Sequence, residues 1–150
     1  TILGPVTLGG STNANGSANA SLLITGGTVD VRNQIAKGVG NGFASVTSTL
    51  RLNNASLDLN GFTIGTLTRP INNLQFESGT LKNVLEINGG TGFTKTAGAG
   101  SNTLIIDGTN SFSGVFTIFT ISAFSLAITS LGVPVGAKIP CQELPMTPHC

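Results

Sequence analysis

The sequence predicts an all-β fold, a right-handed parallel β-helix (β-solenoid) of about five to six coils, on three observations. A triplet of apolar, any and apolar residues recurs with a second triplet seven residues later. Leu22-Leu23-Ile24 is followed by Val29-Asp30-Val31, and Leu50-Arg51-Leu52 by Leu57-Asp58-Leu59, the two phrases lying 28 residues apart. Only 9% of the 150 residues are charged, which leaves few of the Glu, Lys and Arg that normally cover helix surfaces. Turn dipeptides punctuate the chain at Asn15-Gly16, Asn41-Gly42, Asn60-Gly61, Asn88-Gly89 and Asp107-Gly108, supplying positive φ at little steric cost.

Between the turns lie short runs with period-two patterning: Thr49 to Asn53, Ser56 to Asn60, Leu74 to Phe76, Leu85 to Ile87 and Thr103 to Ile106. The phrase continues with looser spacing, Leu74-Gln75-Phe76 preceding Leu81 by seven residues and Leu104-Ile105-Ile106 preceding Phe112 by eight. Insertions at the corners of a coil leave the stacked strands intact, so uneven spacing is compatible with a solenoid. Asn-Gly turns also suit hairpins, which makes an antiparallel β-sandwich the alternative fold. Within a triplet the outer residues should point inward and the middle one outward. That makes Asp30, Arg51, Asp58 and Gln75 candidate exposed columns, with Glu86 of Leu85-Glu86-Ile87 in the same role. Residues 1–136 form the expected solenoid domain and residues 137–150 a Pro- and Cys-containing tail or cap.

Composition excludes several function classes. A net charge of +1 offers no basic stripe for phosphates, and the aromatic residues are all Phe, so nucleic-acid binding is not expected. Residues 115–136 carry no charge, but Thr and Ser punctuate the segment and its apolar residues share a strand parity, so strands are expected there rather than a membrane-spanning helix. Phe116, Ile118, Phe119, Ile121, Phe124, Leu126 and Ile128 of that segment are the candidate self-association strands. In the tail, Cys141 and Cys150 are a candidate disulfide, within one chain or between neighbours. His149 beside Cys150 makes too few ligands for a metal site, and Asp30 with Asp58 too few carboxylates for calcium, so neither a metal nor a cofactor is expected. No Ser-His-Asp set or Trp/Tyr sugar platform can be assembled, so no catalytic residue is assigned and no enzyme is expected. Thr47-Ser48-Thr49, Thr66-Leu67-Thr68 and Thr94-Lys95-Thr96 share the Thr-x-Thr spacing of ice-binding solenoids without recurring at one phrase position. Three Asn-x-Ser sequons, at Asn15, Asn19 and Asn54, match chance expectation in so Asn- and Ser-rich a chain. The start at Thr1 is read as that of a processed product or a fragment.

Residues Gly92-Phe93-Thr94-Lys95-Thr96-Ala97-Gly98-Ala99-Gly100, continuing through Asn102-Thr103-Leu104-Ile105-Ile106-Asp107-Gly108-Thr109-Asn110-Ser111-Phe112-Ser113-Gly114, resemble the autotransporter-associated β-strand repeat of bacterial surface proteins. Leu57-Asp58-Leu59-Asn60-Gly61-Phe62 with Ile64-Gly65-Thr66-Leu67 resembles the leading part of that repeat, and the likeness is best over residues 48–118. The resemblance implies a parallel β-helix exported to the bacterial cell surface, used as a scaffold without catalytic residues. The expectation from the whole chain is a non-enzymatic extracellular structural protein that self-associates into a filament or surface fibre. The alternatives are a monomeric adhesin segment binding a surface glycan or host protein, and behind it a polysaccharide-degrading β-helix enzyme.

Overall fold

A computed structural model describes residues 1–96, 103–118 and 125–128. In chain order the strands are β1 (Val6–Leu8), β2 (Ser17–Ile24), β3 (Thr28–Asp30), β4 (Ile35–Lys37), β5 (Ser45–Leu52), β6 (Ala55–Ile64), β7 (Asn73–Phe76), β8 (Gly79–Ile87), β9 (Phe93–Lys95), β10 (Thr103–Asp107), β11 (Phe116–Ile118) and β12 (Ser125–Ile128). The only helical element among the described residues is one 3-10 turn, Asn88–Gly90. β1, β4, β6, β8, β10 and β12 lie side by side in one sheet, with β3 also pairing β6, and β11, β9, β7, β5 and β2 form the second. Every strand pairing among the described residues is parallel, which overturns the antiparallel sandwich and establishes a β-solenoid.

The described residues make about four turns, against the five to six expected. The expected count spread the repeat over the whole chain, but residues 1–16 contribute only a partial turn through β1, and residues 129–150 lie outside the described set.

The repeated phrase is the rung of this coil. Its first triplet lies in the second sheet, where Leu22, Leu50 and Leu74 stack in register, and its second in the first sheet, where Val29, Leu57 and Leu81 stack. The offset of seven residues carries the chain from one sheet across a corner to the other. Leu50, Leu52, Leu57, Leu59 and Leu81 are fully buried, and with Ile64, Phe76, Ile87 and Leu104 they form one continuous core. Burying each such side chain contributes roughly 1.5–3 kcal/mol.

Two expectations from the pattern fail. Leu104-Ile105-Ile106 is no copy of the first triplet: β10 pairs β8, placing Ile106 on Leu81, while the strand that follows β7 in the second sheet is β9, with Phe76 opposite Lys95. Phe112, expected to open its second triplet, instead lies outside the strands and packs edge-on to Phe93, their ring centroids 5.6 Å apart. The second failure is parity in β8, where Leu85 is exposed and Val84 takes the core position. Asn83, immediately before Val84, sits at φ 50° and bends the strand, adding a residue to the count. Asn60 at φ 49° does the same in β6, where the register to β8 shifts between Asp58 and Phe62.

Rungs approach so closely at one corner that Gly79 has no room for a side chain. A Cβ there would lie 2.1 Å from the Ala55 carbonyl oxygen of the rung before it. Buried amides close other corners. Asn110 accepts from the Val84 N–H at 2.9 Å and donates to the Asp107 carbonyl at 2.9 Å. Asn88 likewise exchanges two bonds with the Ile71 backbone, so each side chain stands in for a strand neighbour.

Candidate interaction site at the open end of the coil

The candidate column residues Asp30, Arg51, Asp58 and Gln75 lie in register with neighbours on the outer faces, and each is half-buried rather than exposed. Asp30, Asp58, Lys82 and Asp107 follow one another across the first sheet, and Leu23, Arg51 and Gln75 across the second. Much of this polar surface is already engaged. Arg51 donates to both carboxylate oxygens of Glu77 at 2.8 Å, a bidentate pair that spans two rungs. Lys82 pairs with Asp107 at 3.3 Å. Asn60 donates through its side chain to Asp30 and through its backbone N–H to Asp58 at 2.9 Å, and Asn83 donates to Asp58 at 2.9 Å. Amide donors therefore occupy the carboxylates that stacking brings together. Burial raises the Asp30 carboxyl, but hydrogen bonds from Thr1 and Asn60 and the charge of Arg32 outweigh it and hold it below the ordinary aspartate value.

Lys95, the middle residue of Thr94-Lys95-Thr96, turns inward at 2% exposure. Its ammonium donates to the Glu77 carbonyl at 2.7 Å and to the Thr96 carbonyl at 3.0 Å. Burial lowers its pKa from the ordinary lysine value, partly offset by the Glu77 charge. Two carbonyl acceptors at a corner make this inward lysine tolerable, a feature that a rule of polar residues facing outward does not anticipate. The Thr-x-Thr sets form no extended array among the described residues. Thr49 faces Ser21 on one side and Asn73 on the other, and only Thr94 has a threonine in register, Thr117.

The end of the second sheet differs from its middle. β2 is its terminal strand, pairing β5 over eight positions from Ser17 opposite Ser45 to Ile24 opposite Leu52. Inward residues Val46, Ser48 and Leu50 of β5 are buried, whereas their counterparts Ala18, Ala20 and Leu22 in β2 are only half-buried. Each has one rung beneath it and no complete rung above. Residues 1–10 cover this end in part, with β1 lying on β4 and Gly9 approaching Val46 and Ala20. Sheet edges of this kind are ordinarily blunted by Lys, Pro or a bulge, and the sequence of β2, Ser-Ala-Asn-Ala-Ser-Leu-Leu-Ile, contains neither residue. Leu23 stands exposed on its outer face.

Of the candidate self-association residues, Phe116 turns inward and packs on Phe93 with ring centroids 4.7 Å apart, so its side chain extends the core stack. Ile118 lies at the end of β11, the last strand of the second sheet among the described residues, and Leu126 and Ile128 lie in β12. Phe119, Ile121 and Phe124 fall outside the described residues, as do Cys141, His149 and Cys150. Among the described residues no group of three or more His, Cys, Asp or Glu is placed to hold a metal ion, and no helix is long and apolar enough to cross a membrane. The open β2 rung was missed in the sequence; its signal was an eight-residue run without charge or Pro at the first copy of the phrase.

No model of a known protein family matches the chain, and no curated protein or solved structure is found to be similar to it.

Proposed function

We propose that this protein is a non-enzymatic structural scaffold of the bacterial cell exterior whose coils self-associate end to end into a filament or surface fibre. The observation that carries this reading is the β2 rung, an uncharged strand edge with half-buried inward residues that resembles an interrupted stack. Low charge supports it, since molecules with a net charge of +1 and 9% charged residues repel one another weakly. The cell-surface location rests on the resemblance of residues 48–118 to the autotransporter-associated repeat. Electron microscopy of the purified chain over a wide concentration range is expected to show filaments of one coil width that lengthen with concentration. Dispersed monomers throughout would overturn the reading.

The second reading is a monomeric adhesin segment that binds a surface glycan through outward residues. Its support is Gln75, which continues the Leu23 and Arg51 column toward solvent. Binding to a glycan array, lost in a Gln75→Ala variant, would favour it over the filament.

A further inference from the structure

The phase of the hydrogen bonds in β2 decides what its free side can hold. The Gly16 and Ile24 carbonyls accept from the Ser45 and Asn53 N–H groups of the next rung, so the even-numbered residues of β2 turn their backbone groups toward β5. In an extended strand the residue that follows turns the other way. Ser17, Asn19, Ser21 and Leu23 therefore present their N–H and C=O groups on the side away from β5, where none has a hydrogen-bond partner among the described residues. Residues 1–96 are described without a break, so the chain on both sides of β2 is accounted for, and it leaves this edge unpaired. These four residues are symmetric about Ala20, which turns inward between Ala18 and Leu22.

Resting on the scaffold reading, we infer that β2 of a second copy covers this edge, antiparallel, about a two-fold axis through Ala20. The register follows from the groups to be paired. With Ala20 opposite its own copy, Ser17 faces Leu23 and Asn19 faces Ser21, each pair exchanging two hydrogen bonds, so every free group of the edge finds a partner. Moving the axis to Ser21 or to Asn19 leaves Ser17 or Leu23 beyond the end of the paired strand, and an axis between residues sets inward side chains against outward ones. On the inner face Ala18 lies against Leu22 and Ala20 against itself, so half-buried apolar side chains cover one another. A two-fold contact brings like residues together, and β2 carries no charge to repel its own copy. Ile2 and β1 stand one rung beyond β2, on Val31 and β4 of the first sheet, so the two coils meet along the second sheet alone.

Facing residues of an antiparallel pair have Cα atoms about 4.5 Å apart where they are not hydrogen-bonded and about 5.5 Å where they are, both within disulfide reach. In a Cys141→Ser, Cys150→Ser background, Ala20→Cys alone should therefore form a disulfide dimer on mild oxidation. Asn19→Cys and Ser21→Cys should cross-link only when mixed, since each alone meets its own copy on the diagonal, about 7–8 Å away. Leu22→Cys alone should stay unlinked. Thermal melts matching the background chain establish that each variant folds. Ser21→Pro removes an N–H from the free side of β2 and none from the side bonded to β5, so it should leave the chain folded at low concentration and weaken association about tenfold or more. Association by sedimentation without the Ala20→Cys link, or with an equally strong Leu22→Cys link, would overturn this junction and leave the scaffold reading standing. A chain that neither associates nor cross-links would overturn the two together. Linked Ala20→Cys dimers that never grow into longer assemblies would support the junction and overturn the filament.

Discussion

The second rung and the first rung of this coil carry the same pattern and have different surroundings. Leu50 of β5 has Leu22 on one side and Leu74 on the other and is fully buried; Leu22 of β2 has Leu50 alone and is half-buried. In a stacked array the stability of a unit is its own folding term plus one interface term for each neighbour. An end rung lacks one of those terms. The difference between two leucines in one column is therefore the difference between a finished and an unfinished interface.

The largest expected effect tests the close approach in the middle of the coil. Gly79→Ala forces a Cβ onto the Ala55 backbone at a φ of 111°, and should cost about 3 kcal/mol or more in urea unfolding. Gly61→Ala, at a φ of 85° with nothing within 4 Å, should cost only about 1–2 kcal/mol from backbone strain. Equal losses would show that crowding between rungs does not matter. Leu50→Ala follows at about 3–4 kcal/mol, whereas Leu22→Ala in the same column should cost about 1 kcal/mol when measured at concentrations that hold the chain monomeric. A Leu22→Ala loss matching that of Leu50→Ala would mean that the first rung is covered within one chain.

Removing the buried amide in Asn110→Ala leaves the Val84 N–H without its partner and should cost about 2 kcal/mol. The smallest effect concerns pH. Lys95 has a lowered pKa, so below that value both folded and unfolded chains hold the proton and the cost of burying the charge is fully present. Between the lowered value and about 10.5 the unfolded chain binds more protons, so stability should rise with pH across that window, and a Lys95→Met variant should lose the rise. A wild-type urea midpoint that falls there in step with that of the variant would contradict the burial of this ammonium.

The inward columns were legible because a phrase of two triplets seven residues apart has a simple physical cause: two short strands joined across a corner, each with alternating side chains. Leu22, Leu50 and Leu74, and Val29, Leu57 and Leu81, follow from that directly. The failures lie where one residue departs from it. Asn83 enters the left-handed region inside a strand, with no glycine beside it to signal the bend, and so reverses the parity of Leu85. Leu104-Ile105-Ile106 matches the triplet pattern equally well in either sheet, because an apolar alternation states which face is inward and not which sheet it belongs to. Lys95 faces inward because the carbonyl of Glu77, 18 residues earlier, meets its ammonium beside that of the neighbouring Thr96, an approach that no local pattern holds. The open β2 edge was hidden for a related reason. Its residues look like those of any other rung, and only the absence of a strand beyond it distinguishes it.

The comparison between the two rungs is tested most directly by hydrogen exchange of β2 and β5 amides, followed by mass spectrometry over a concentration series. At low concentration β2 amides should exchange much faster than those of β5, and their protection should rise with concentration while that of β5 stays constant. Protection of β2 equal to that of β5 at every concentration, or slower than β5 but unchanged by concentration, would contradict an end rung that a second copy completes.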